Sequence, residues 1–121
     1  MSFNSWLSTI SETKELHSLA SLRSRYYKAN YEQAKAIVLD CAKQMNTTVR
    51  NIDDTHREIL IQSNKYHIVV SFVQVNPIET SIDFKVQIYG IVGRNRPQKM
   101  ILKYYDYLNS NLTFKGVGLH P

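Results

Sequence analysis

The sequence predicts an α+β fold: an antiparallel sheet of four to five strands, two helices packed on one face, and an N-terminal helical arm. Three observations point there. Residues 57–93 hold three runs in which apolar side chains alternate with polar ones, the period of a half-buried strand. Residues 31–45 and 97–112 each carry apolar residues at three- and four-residue steps, the stripe of a helix lying on a core. Turn-forming pairs, Asn64-Lys65 and Asn76-Pro77, fall between the alternating runs, as hairpins require.

The chain has 121 residues, 43% of them apolar, enough for one domain with a core of its own. The expected division is an arm at 1–24, an α+β core at 25–112 and a tail at 113–121. The longest apolar runs fall far short of a membrane span. The first ten residues, MSFNSWLSTI, lack a basic start and a continuous apolar stretch, so the reading has no secretory signal. A single cysteine, Cys41, leaves no internal disulfide framework and fits a reducing compartment. The expected location is therefore cytoplasmic. Net charge is +5 and the pI about 9.4, a balance that suits solubility alone, nucleic acid, anionic lipid or an acidic partner.

Within residues 2–22, Trp6, Leu7 and Ile10 share one helical face, and Leu16, Leu19 and Ala20 share another. Trp6 reads as the anchor that docks this arm on the body. Tyr26 and Tyr27 favour a short first strand that ends at Asn30. Basic residues interleave with these aromatics, a pattern that also suits stacking on single-stranded nucleic acid.

Asn30 with Gln33 makes a capping box for the helix that follows. Its stripe is Ala34, Ile37, Val38, Cys41, Ala42 and Met45, which places Cys41 in the core as a small hydrophobe. Asn46 is placed to end the helix in the left-handed conformation. Residues 47–52 read as a strand, and Asp53-Asp54-Thr55-His56 as an acidic turn. No second ligand cluster accompanies that turn, so no metal is expected.

Ile59 and Ile61, then Ile68, Val70 and Phe72, then Ile82, Phe84, Val86 and Ile88 supply the core face of the sheet. The opposite face of the middle strand carries His67, Val69, Ser71, Val73 and Val75, three valines in five. A face open to water is normally more polar, so a cover is expected: the N-terminal segment or a second copy of the chain. A helix running from Tyr26's strand to Thr48 also permits a parallel pairing by a right-handed crossover.

Pro97 suits the first position of the last helix, whose stripe is Met100, Ile101, Tyr104, Tyr105, Leu108 and Leu112. Arg94, Arg96, Lys99 and Lys103 approach and enter that helix with no acid among them, a candidate anion site. In the tail, Gly116 and Gly118 give flexibility, while Phe114, Val117 and Leu119 are able to fold back on the sheet.

The element order from residue 25 to 112, and the run GRNRPQKMI leading into the last helix, resemble the DUF1499-type uncharacterised bacterial proteins. The chain keeps Val92-Gly93-Arg94 and Asn95-Arg96, and lacks the Asp-x-Gly-x-Asn element between them. The resemblance implies a fold and no chemistry.

No catalytic residue set, metal site or cofactor motif is evident in the sequence. The functional expectation is a small non-catalytic interaction module that self-associates through a sheet face, with Trp6, Val69, Val73 and Val75 as interface candidates and a second copy as the partner. The alternative is binding of nucleic acid or a phosphate ligand by Arg94, Arg96, Lys99 and Lys103, with Arg23 and Arg25 nearby. No membrane partner is expected.

Overall fold

The alternating residues do share one face. In a computed structural model, which describes residues 10–12, 24–64, 66–88 and 96–117, nine elements follow one another. They are β1 (Ile10–Glu12), β2 (Arg25–Lys28), α1 (Tyr31–Gln44), β3 (Thr48–Asp53), β4 (Glu58–Gln62), β5 (Tyr66–Asn76), β6 (Glu79–Ile88), α2 (Arg96–Asn111) and β7 (Thr113–Val117). Cross-strand registers place Ile61, Ile68 and Val86 in one row, Ile59, Val70 and Phe84 in the next, and Phe72 with Ile82 in a third. Both helices close over these rows. Val38, Cys41 and Ala42 of α1, with Ile101, Tyr104, Tyr105 and Leu108 of α2, are buried in the same cluster. The Phe84 ring lies 5.3 Å from Tyr104 and 4.9 Å from Tyr105, the latter edge to face. Each such apolar side chain, fully buried, stabilises the fold by about 1.5–3 kcal/mol before conformational entropy is set against it.

The sheet is larger than the sequence predicts. Its strands follow the order β3-β4-β5-β6-β2-β7, and β1 pairs with β6 as an additional short strand. Every pairing is antiparallel, so the parallel crossover does not occur; β2 and β3 lie on opposite sides of the β5–β6 pair. One side of β6 is shared, with β2 alongside Thr80–Ile82 and β1 alongside Lys85–Gln87. Two expectations need correcting. Ile10–Glu12 is a strand, not part of a helix, and the rest of the predicted helical arm lies outside the described residues. Residues 113–117 of the predicted tail form β7, because Phe114 packs on Tyr27 with ring centroids 5.6 Å apart while the backbone pairs with β2.

α1 begins as its sequence requires. Asn30 Oδ1 accepts from the Gln33 N–H at 2.9 Å, and Gln33 Oε1 accepts from the Asn30 N–H at 3.0 Å. The Tyr31 N–H donates to Gln74 Oε1 at 2.9 Å, and Thr80 Oγ1 donates to the Ala29 carbonyl at 2.8 Å. The end of the β5–β6 hairpin therefore satisfies the backbone where β2 turns into α1. At the other end Asn46 adopts φ 56°, the left-handed conformation its type tolerates. α2 starts at Arg96, one residue before Pro97. No helix among the described residues is long and apolar enough to cross a membrane.

Three strands carry an extra residue. Val49 faces Ile61 while Asn51 faces Leu60, so Arg50 is inserted in β3. Tyr26 faces Gly116 while Tyr27 faces Phe114, which inserts Lys115 in β7. Gln74 faces Thr80 while Asn76 faces Glu79, which inserts Val75 in β5. Such bulges bend a strand and re-aim its side chains.

Candidate functional site

The helices leave the second face of the sheet for other contacts. Its rows read Gln62–His67–Gln87, Leu60–Val69–Lys85, Glu58–Ser71–Asp83 and Val73–Ser81–Tyr26. On the β6–β2 side Tyr26, Ser81 and Gln87 of this face are at most 5% exposed, while Asp83 is half-buried and Lys85 exposed. The Ser24 hydroxyl donates to Asp83 at 2.6 Å there. On the β5 side it opens. Val69 and Leu60 are half-buried, while Val73 is 56%, Val75 39% and Ile78 59% exposed.

These three exposed residues all lie at the turn end of the β5–β6 hairpin. Val73 points from the open face. Val75 is the bulge residue that follows it in β5. Ile78 occupies the two-residue turn with Pro77, held by Asn76 Oδ1 accepting from the Ile78 N–H at 3.0 Å. The result is an uncharged apolar strip at the tip of the β5–β6 hairpin. Val73 and Val75 were legible from the valine alternation; Ile78 was not, because a residue after proline in a turn carries no face assignment. Trp6, the fourth interface candidate, lies outside the described residues.

The two edges of the sheet are poor places for a second chain to add on. β3 at one end is bulged at Arg50 and β7 at the other is bulged at Lys115. A bulge with a cation at each edge interrupts the row of backbone groups that an incoming strand would need. Lys115 also turns back, forming a 2.7 Å ion pair with the buried carboxylate of Glu79.

The basic segment is only partly assembled. Lys99 and Lys103 are exposed, one helical turn apart on α2, and the first turn of that helix holds no acid. Arg94 lies outside the described residues, as does Arg23, and of Arg96 the backbone alone is described. Arg25 is committed elsewhere. Its guanidinium sits 4.4 Å from the Tyr105 ring centroid and 5.7 Å from that of Phe114, a cation held between aromatic faces.

The acidic turn between β3 and β4 is bound into the structure. Asp54 accepts from the Tyr31 hydroxyl at 2.6 Å and from Lys35 at 3.0 Å. These two donors hold its carboxyl below the usual range. Burial and the Asp54 hydrogen bond push Tyr31 up to about 12. His56 pairs with Asp53 at 2.8 Å, which raises the imidazole; the His56 backbone N–H, donating to Asp53 at 3.0 Å, and the ring together lower the carboxyl. Among the described residues no group of three or more His, Cys, Asp or Glu converges as a metal site. Cys41 is buried, and burial lifts its thiol to about 11, which makes it a poor nucleophile at neutral pH. His67, on the open face, is held below its usual value by burial.

Compared with family models, curated proteins and solved structures, the chain finds no match.

Proposed function

We propose that this chain is a small interaction module that joins a second copy of itself through the open side of the sheet, with the Val73–Val75–Ile78 strip at the centre of the contact. The observation that carries this reading is the exposure of those three side chains at the tip of one hairpin, on a sheet whose helices cover the other face. A strip of this kind meets its own copy across a two-fold axis without a second, different surface. The strip carries no charge, so two chains of net charge +5 approach there without setting cation against cation. The bulged, cationic edges favour association through the face over strand addition. The reading assigns the module no catalytic step.

The test is the mass in solution by light scattering on a size-exclusion column, for the full chain and for Val73→Glu and Ile78→Glu. The reading predicts twice the 14.1 kDa chain mass for the parent and a monomer with unchanged circular dichroism for the variants.

A second reading keeps one observation in its favour, the exposed Lys99 and Lys103 on an α2 start without acids. It assigns that helix to a phosphate group or nucleic acid, through those lysines together with Arg94 and Arg96. The two readings respond to salt in opposite directions, which separates them.

A further inference from the structure

A groove of about 540 Å3 opens away from the apolar strip, between the C-terminal end of α1, the start of β3 and the β4–β5 hairpin. That volume falls in the range of small-ligand sites. Its chemistry is specific. Among the described residues Arg50 is the charged side chain of the lining, and none of them there is a carboxylate. Three carboxamides, Asn46, Gln62 and Asn64, face the same space, and Tyr66 and Met45 give it an aromatic and an apolar wall.

Two backbone features aim these groups. Arg50 is the inserted residue of the β3 bulge, so its side chain leaves the alternation of the strand. Asn46 stands in the left-handed conformation at φ 56°, which turns the chain sharply between α1 and β3. The pairing of Thr48 with Gln62 then brings the β4–β5 hairpin alongside. Neither the Arg50 guanidinium nor the Asn46 and Asn64 carboxamides have a side-chain hydrogen bond or ion pair among the described residues. All three side chains are exposed, so the bulge presents a cation beside two carboxamides at the mouth of the groove.

We propose that this groove binds a small organic anion with a flat, hydrogen-bonding ring, a nucleoside monophosphate in chemical class. Arg50 takes the phosphate, for which a guanidinium is suited by its forked donors. The Asn46 and Asn64 carboxamides, each both donor and acceptor, match the mixed edge of a nucleobase. Tyr66 offers a face on which the ring stacks. The end of α1 turns partial negative charge toward Met45 and Asn46, so the phosphate goes to the Arg50 side and the ring's N–H donors to the helix side.

The experiment is a titration of the full 15N-labelled chain, followed by 1H–15N correlation spectra, with AMP, GMP, CMP and UMP. Inorganic phosphate is a separate arm. At least one nucleotide is expected to shift the Asn46, Arg50 and Gln62 amides saturably at millimolar concentration or below, and Arg50→Gln to weaken it about tenfold. Asn46→Gly keeps the backbone conformation and is expected to weaken binding while leaving the rest of the spectrum in place. Silence of these amides with all four nucleotides overturns the proposal. So does inorganic phosphate binding as tightly as any nucleotide, or an Arg50→Gln chain of wild-type spectrum that binds with undiminished affinity.

Discussion

The Tyr31 hydroxyl donates a 2.6 Å hydrogen bond to the Asp54 carboxylate, 23 residues further along the chain. It joins the first turn of α1 to the turn between β3 and β4, and Lys35 reaches the same carboxylate oxygen at 3.0 Å. Asp54 titrates below its usual 3.8 because these donors favour the ionised form. A carboxyl depressed in the fold contributes stability above its unfolded value and loses it as pH falls through the folded one. Asp54→Asn is therefore expected to lower the urea midpoint at pH 7, with the gap to the parent closing as pH drops below 3.8. The carboxylate is exposed, so raising salt narrows the gap as well. A gap that widens in acid would contradict this account of the turn.

Two histidines of similar sequence character differ in the fold. Asp53 raises His56 above 6.5, while burial lowers His67 below it. Proton NMR of the imidazole signals is expected to give His56 the higher of the two titration midpoints. Because His56 is raised, its pairing supports the fold fully below 6.5 and loses that support as pH climbs through the folded value. His56→Ala is expected to cost more at pH 5.5 than at pH 8.5, a comparison read by thermal melts.

Asn46 occupies the left-handed conformation at φ 56°. Asn46→Ala is expected to cost about 1 kcal/mol in urea unfolding, the penalty of a Cβ without the local hydrogen-bonding of asparagine. Asn46→Gly should be nearly neutral, since glycine takes positive φ freely. Equal losses from both substitutions would point to the carboxamide, not the backbone, as the stabilising part.

Much of this fold is legible in the chain. The period-two runs around Phe84 fix the core face because a one-residue slip would turn every apolar side chain to water. Asn30 and Gln33 mark the start of α1 because only a helix start leaves those donors unpaired. The strand at 47–52 was legible, and β7 was not. In β7 the apolar pair is Phe114 and Val117, spaced by three. That spacing hides a strand from any search for alternation, yet it is what an inserted residue produces, here Lys115. A spacing of three with a basic residue inside it was the available signal. β1 is three residues long, too short to show a period. The groove is assembled from residues 45–50 and 62–66 by strand pairing, and no local pattern reports such a meeting.

Salt separates the two functional readings. Association of chains that each carry +5 through an uncharged strip should strengthen as salt screens their repulsion. Binding of nucleic acid by Lys99 and Lys103 should weaken instead, as counterions are no longer released. Sedimentation of the chain alone, and with a labelled single-stranded oligonucleotide, at low and high salt reads both.

The most direct measurement of the central claim is light scattering on a size-exclusion column across a range of loading concentrations. The account predicts a dimer of the 14.1 kDa chain that Val73→Glu and Ile78→Glu convert to a folded monomer. A parent chain that stays monomeric at every concentration, or variants that remain dimeric, would contradict it.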